Sequence, residues 1–345
     1  MNAFEAIAIA PLDEAAVAAA RVRQDQLVKP PGSLGRLEEL ACWLAGVTGQ
    51  ERPAVRARVV VAAADHGVAA EQVSAYPPEV TAQMLATLAS GRGAVTVLAG
   101  HVGADVEVLD AGVRDAPQLP GVKRLGLAPS RNLAREPALA EAEVEQALHA
   151  GRELARRAAA EGCTILVGGE LGIANTTPST ALACWLTGRA PDALAGPGTG
   201  LDAEGVQRKA DVVRRALELH VRHIAGPGEA LRRLGGGEIA VLCGLALGAG
   251  EQGLGYVCDG VIATAAAALA VAMAPELLPR LIAGHRSAEG AHTALLEHLA
   301  LEPVLDLGMR LGEGSGATAA LAVLGLAASV HNGMATFAEA GVSTG

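Results

Sequence analysis

The order of apolar and polar positions sorts the chain into two kinds of segment. Residues 57–64 are apolar and rich in β-branched side chains, as in a parallel strand buried on both faces. Residues 105–109, 164–167, 255–258 and 281–283 predict further strands, the last closing the sheet. Helical spacing instead marks residues 13–28, 79–89, 140–161, 203–223, 239–249, 260–273, 295–307 and 318–340. Lys29-Pro30-Pro31-Gly32 stops the first helix, and Ser33 is the expected N-cap of a second through Arg36, Leu37, Leu40 and Leu44. Gly235-Gly236-Gly237 is a flexible break in this pattern. There is no short-period repeat and no low-complexity tract.

Strands alternate with helices through the middle, and both ends are helical. The prediction is therefore an α/β fold with a doubly wound, mostly parallel, Rossmann-like sheet. A small helical subdomain is expected from both termini, residues 1–56 together with 300–345, beside a large α/β domain over 57–299.

Composition narrows the function. The 345 residues are 51% hydrophobic but 2% aromatic, so Ala, Val and Leu must build the core. The net charge of −10 argues against a general nucleic-acid binder, which needs a basic face. A local anion pocket stays open, because one Lys and a few backbone N–H groups suffice. The first residues, Met-Asn-Ala-Phe-Glu, do not form a signal peptide. The apolar stretch 261–273 is too short to span a bilayer. Five scattered cysteines without a C-x-x-C pair predict free thiols in a reducing cytoplasm.

Candidate chemistry gathers where glycine meets a polar side chain. Glu313 lies between Gly312 and Gly314, just before an Ala/Leu-rich helix, and Ser315 is read as that helix's N-cap. Glycine neighbours admit a close approach. A carboxylate crowded by apolar surroundings has a raised pKa and suits a general base. A surface glutamate in a Gly-rich loop is the other reading. Glu170 lies in a similar setting after the strand at 164–167, followed by Asn175-Thr176-Thr177-Pro178, which predicts a helix start with proline in the first position. Free N–H groups there attract anions. Gly196-Pro197-Gly198-Thr199-Gly200 feeds the helix that carries Lys209, a second anion candidate; Lys209 on a solvated helix face is the competing reading. Asp65-His66 ends the first strand, either as a turn cap or as a substrate contact. His220 and His223 stand three apart but read as a solvated helix end rather than a metal pair. No dinucleotide fingerprint, P-loop or nucleophile elbow is present, which disfavours a nicotinamide-dependent oxidoreductase. Two carboxylates and an anion pocket in one cleft fit a phosphorylated sugar whose C1′ gains positive charge.

The chain closely resembles the nicotinate-nucleotide:5,6-dimethylbenzimidazole phosphoribosyltransferase family of cobalamin biosynthesis. The collinear matches are 29–35 (Lys-Pro-Pro-Gly-Ser-Leu-Gly), 64–68 (Ala-Asp-His-Gly-Val), Glu79-Val80-Thr81, 169–178, 211–216, Ser287-Ala288-Glu289 and 310–317. Each is weak alone; together, spread over nearly the whole length, they are specific. The resemblance implies transfer of phosphoribose from nicotinate mononucleotide to the benzimidazole, with inversion at C1′. It implies Glu313 as general base and Glu170 near the ribose or nicotinate. It further implies that Asn175, Thr176, Gly198, Thr199, Gly200 and Lys209 hold phosphate and sugar, that Tyr76, Met84 and Leu311 wall the base pocket, and that Arg310 lies near the nucleotide. No cofactor and no metal are implied, and the partners are small molecules in a cytoplasmic homodimer. In well-known members the positions of Tyr76 and Met84 carry Ser and Gln, so the identity of the aromatic base stays open. The alternatives are a related transferase for another base and a non-catalytic binding module.

Overall fold

The computed structural model describes residues 7–343; the first five residues, which bear on a leader, lie outside the described residues. Seven strands form one sheet among them: β1 (Ala57–Ala63), β2 (Asp105–Asp110), β3 (Val122–Arg124), β4 (Ile165–Leu171), β5 (Gly255–Cys258), β6 (Leu281–His285) and β7 (Pro303–Leu305). Their order is β3-β2-β1-β4-β5-β6-β7, and every neighbouring pair is parallel. The expected doubly wound α/β fold is thus present.

Side chains of β1 show how the sheet is buried twice over. Val60 and Ala62, with Ala64 just past the strand, point into a core shared with helices Glu141–Ala160, Gly237–Glu251 and Val261–Met273. Val59, Val61 and Ala63 point the other way, toward helices Arg36–Thr48, Glu79–Ala89, Ala94–Val102 and Ser315–Gly333. The period of two in a strand makes this alternation obligatory. With few aromatics the helices must approach closely. A Cβ on Gly151 would lie 2.1 Å from the Val241 carbonyl oxygen, and one on Gly244 would lie 2.2 Å from that of Leu148. Backbone therefore meets backbone between helices Glu141–Ala160 and Gly237–Glu251.

The termini meet on the second face. Arg23 donates from Nε to the His331 carbonyl (2.9 Å) and from Nη2 to that of Met334 (3.2 Å). Gln24 Nε2 donates to His331 Nδ1 at 2.8 Å, while His331 Nε2 donates to the Glu51 carbonyl at 2.8 Å.

Several sequence expectations are corrected. Leu281–His285 is not the last strand: β7 follows, and the helix expected over 295–307 is Gly290–Leu299, ended by Ala300 at φ 52°. β3 was not anticipated. Gly35, not Ser33, precedes helix Arg36–Thr48, and Gly314, not Ser315, precedes helix Ser315–Gly333. Pro178 is the third residue of helix Thr176–Thr187 rather than the first. The triple glycine is a packing device: a Cβ on Gly236 would lie 2.3 Å from His66 Cε1, and one on Gly237 would lie 2.1 Å from the Ala111 carbonyl oxygen. His220 is buried, with Nε2 donating to the Leu133 carbonyl at 2.9 Å, so it is not a solvated helix end. No helix among the described residues is long and apolar enough to cross a membrane.

Candidate active site

Strand order reverses between β1 and β4, and in open α/β sheets a ligand crevice opens beyond the carboxyl ends at such a point. β1 runs there into Asp65-His66, and β4 into Glu170-Leu171. Asp65 Oδ2 accepts the Arg114 N–H at 2.8 Å, and burial raises its carboxyl pKa. His66 Nε2 donates to Glu238 Oε1 at 2.8 Å, both side chains being fully buried. The Asp65 carboxylate therefore fastens the loop after β2 at Arg114 rather than capping the turn that follows it.

Glu170 lies at the carboxyl end of the central strand β4. The Asn175 side-chain amide donates to its Oε2. The turn between them carries Ala174 at φ 75°, an uncommon well for a residue with a Cβ. Thr81 Oγ1 accepts the Ile173 N–H at 3.1 Å and ties helix Glu79–Ala89 to this turn. Burial raises the Glu170 pKa to about 8; the Asn175 amide lowers it, while Asp259, Glu238 and Glu313 raise it further. Burial thus favours the protonated form of Glu170. A cation arriving beside it would favour ionisation.

Glu313 lies beside Glu170, close enough for its charge to act on it. It is 4% exposed, so the solvated-loop reading is wrong. Gly312, Glu313 and Gly314 have φ of 85°, 63° and 83°, three left-handed residues in succession. The loop seats on β4. A Cβ on Gly169 would lie 2.4 Å from the Glu313 carbonyl oxygen, and one on Gly312 would lie 2.2 Å from Glu170 Oε1. Glycine at 169 and 312 is what lets the Glu313 loop pack this closely against Glu170. Glu313 Oε2 has no hydrogen-bond partner and lies 3.6 Å from where a Cβ of Gly93 would be. Burial raises the Glu313 pKa, the Val95 N–H lowers it, and the Asp259 charge raises it. A buried carboxylate with an unsatisfied oxygen and a raised pKa is ready to accept a proton.

A cationic pocket adjoins Glu170 through Thr176. Lys209 is 1% exposed and donates to Thr176 Oγ1 (3.1 Å) and to the Gly196 carbonyl (2.8 Å). An ammonium has three donors, so one remains for a ligand. Burial lowers its pKa to about 8, while neighbouring Glu289 raises it. The solvated-face reading of Lys209 is thereby excluded. Gly198 lies against both Lys209 Nζ and Thr176 Oγ1, but its N–H is taken by Glu289 Oε1 at 2.9 Å. Thr199 Oγ1 accepts the Ala75 N–H at 3.1 Å and lies 3.0 Å from Ser74 Oγ, fastening the glycine loop to the segment that carries Tyr76. Thr199 and Gly200 are exposed at the rim.

The four remaining candidates are less enclosed. Tyr76 and Leu311 are 54% and 58% exposed, unusual for large apolar side chains. Met84 is half-buried on helix Glu79–Ala89, packed against the second core, and Arg310 is exposed. Leu311 adjoins Gly312 in the chain and thus the Glu313 loop.

Sequence reasoning missed Asp259 and Glu289. Asp259, just past β5, accepts the N–H of Gly314 (3.2 Å) and of Ala317 (2.8 Å). His285 Nε2 lies 3.4 Å from Asp259 Oδ1. For Asp259 the available signal was position alone, since it directly follows β5; Glu289 lay in the matched Ser287-Ala288-Glu289 segment but was given no role. No group of acidic, His or Cys side chains suited to hold a metal occurs among the described residues.

A family model described as Phosphoribosyltransferase matches residues 9–342. The nicotinate-nucleotide–dimethylbenzimidazole phosphoribosyltransferase of Ectopseudomonas mendocina is 51% identical over 336 residues, 96% of each chain. The enzyme of the same name from Azotobacter vinelandii is 50% identical over 337 residues, again 96% of each. The crystal structure of CobT from Thermus thermophilus superposes with a TM-score of 0.91 at 48% identity, covering 96% of this chain and all of that one.

Proposed function

Because the chain belongs to the nicotinate-nucleotide–dimethylbenzimidazole phosphoribosyltransferase family, we propose that it transfers phosphoribose from nicotinate mononucleotide to 5,6-dimethylbenzimidazole. The products are α-ribazole 5′-phosphate and nicotinate, in assembly of the cobalamin lower ligand. The observation that supports this reading is the burial of Glu170 and Glu313 side by side, with Lys209 buried next to Thr176.

The C1′–N bond to nicotinate breaks, and its electron pair returns to the pyridinium nitrogen, quenching the positive charge. That leaving group is already activated. The unprotonated benzimidazole nitrogen attacks C1′ from the opposite face, inverting β to α. The other ring nitrogen becomes acidic as its partner bonds, and its proton passes to the Glu313 carboxylate. Glu170, ionised by the incoming cation, stabilises the positive charge that develops on the ribose. Asn175 and Thr176 hold the sugar. Lys209, with the Gly198–Gly200 loop, holds the phosphate, and Arg310 adds charge at the mouth. Tyr76, Met84 and Leu311 form the base wall, and exposed apolar side chains at 76 and 311 are suited to covering a flat aromatic ring.

Three further proposals accompany this one. The helical layer from residues 1–56 and 300–345 acts as a small subdomain, supported by the bonds of Arg23 and Gln24 to the C-terminal helix. The working form is a homodimer, to be checked by light scattering. The compartment is the cytoplasm, supported by five free cysteines.

The test is direct. The protein is mixed with nicotinate mononucleotide and dimethylbenzimidazole, and products are read by mass. Nicotinate and α-ribazole 5′-phosphate in equal amounts are expected; binding without release contradicts the proposal. Competition with adenine and simple phenols in the same assay identifies the preferred base.

A further inference from the structure

Glu313 sits in a backbone conformation it would not choose unaided. A left-handed well costs an L-residue about 1–2 kcal/mol, and such a residue persists only where its surroundings hold it. Its two flanking glycines are left-handed as well, so the segment has no intrinsic preference for the shape it adopts. Something outside the segment must impose that shape.

Asp259 is placed to do so. It is 1% exposed and stands at the carboxyl end of β5, two strands from β1 and next to β4. Its Oδ2 accepts the N–H of Gly314, the peptide that follows Glu313, and its Oδ1 accepts the N–H of Ala317 in the first turn of the helix. A carboxylate at a helix N-terminus satisfies orphan donors and gains from the helix dipole. Gly314 and Ser315 offer no side-chain cap of their own. Behind Asp259, His285 lies 3.4 Å from Oδ1, and its ring fills the place where a Cβ of Gly316 would be. The other face of the loop rests on Gly169 of β4. Glu313 is thus gripped from two strands.

We infer that Asp259 is a positioning residue for the reaction: its carboxylate clamps the 314 and 317 peptide groups and so holds Glu313 over the crevice in its left-handed conformation. The inference rests on the transfer reading above. Asp259 has a second effect, through its charge, which opposes ionisation of both Glu313 and Glu170. The charged and titratable groups around them are Asp259 after β5, Glu170 on β4, Glu238 on helix Gly237–Glu251, and His285 on β6. His292 and Arg286 lie beyond. His292 is held neutral by burial, with Nδ1 accepting the Ser287 N–H and Nε2 paired with Thr264 Oγ1.

The experiment uses Asp259→Asn and Asp259→Ser. Both remove the charge, and each keeps one acceptor. Nicotinate release is measured across roughly pH 5 to 9, below the melting temperature measured for each variant. A base displaced by about an ångström costs on the order of 10²-fold in rate. The expected result is a fall in kcat of that order, with KM for nicotinate mononucleotide within about twofold, since the Lys209 pocket is untouched. The acid limb of the rate profile moves to lower pH, because Glu313 ionises more readily without the neighbouring charge. A merely structural role would not move that limb. A folded variant with wild-type kcat overturns the clamp, and an unmoved acid limb overturns the charge effect of Asp259 on Glu313. Wild-type protein that releases no nicotinate overturns the transfer reading itself, and the clamp with it. The Ser variant carries the test if the Asn variant does not fold.

Discussion

Replacing Lys209 by Met should make the protein more stable at neutral pH while removing its grip on phosphate. The lysine is buried, and burial brings its pKa from 10.5 to about 8. At about 1.4 kcal/mol per pH unit, this places roughly 3 kcal/mol of strain on the charged form. The hydrogen bonds to Thr176 Oγ1 and the Gly196 carbonyl offset about 1 kcal/mol each, so a net gain of roughly 1 kcal/mol is expected for Lys209→Met at pH 7. The sign of the pH dependence follows from linkage. The folded pKa lies below the unfolded one, so the unfolded chain binds more protons between pH 8 and 10.5, and wild-type stability rises there as pH increases. Wild type should gain roughly 2.5 kcal/mol on the variant between pH 7 and 10. Urea unfolding of both proteins at the two pH values gives this difference. Calorimetry with nicotinate mononucleotide should show affinity falling by about 10²-fold, as when one partner of a buried charge pair is lost. A variant several kcal/mol less stable than wild type at pH 7, or one that binds the nucleotide normally, would refute the reasoning.

Arg23→Met should lower unfolding free energy by about 2–4 kcal/mol, because buried carbonyls of the C-terminal helix lose their donor; chemical denaturation measures it, and KM should stay near wild type. Gly244→Ala should cost about 1–3 kcal/mol or more, since its Cβ would meet backbone of Leu148 and force two helices apart; the melting temperature reads this directly. Tyr76→Ser should raise KM for dimethylbenzimidazole about tenfold and leave nucleotide affinity unchanged, which steady-state kinetics with each substrate varied in turn will separate.

The buried strands were legible because a sheet covered on both faces leaves continuous apolar runs. Residues 57–64 and 255–258 announced themselves in this way. The edge strands did not. Val122–Arg124 and Pro303–Leu305 are three residues each and only partly buried, too short to leave a period. Pro303 can begin an edge strand, where its missing N–H costs nothing, yet in the sequence it only interrupts a helical pattern. The helix starts at 36 and 315 were misread for a related reason. Ser33 and Ser315 have the right chemistry for a cap, but Gly35 and Gly314 take the N-cap positions, and the distant Asp259 supplies the acceptors at the second. Glu313 and Glu170 stood out because glycine surrounds them. Asp259 did not, since its role comes from an element more than fifty residues away in the chain. Lys209 was visible as a charge beside a glycine loop; that it is buried could not be read from its arginine neighbours.

The central claim is that the Glu313 carboxylate takes the proton from the attacking azole. Single-turnover nicotinate release by Glu313→Gln, alongside calorimetric binding of nicotinate mononucleotide, tests it most directly. A rate lower by about 10²–10⁴-fold with nucleotide affinity preserved is expected of a lost general base. Release at the wild-type rate by a folded Glu313→Gln protein would contradict the account.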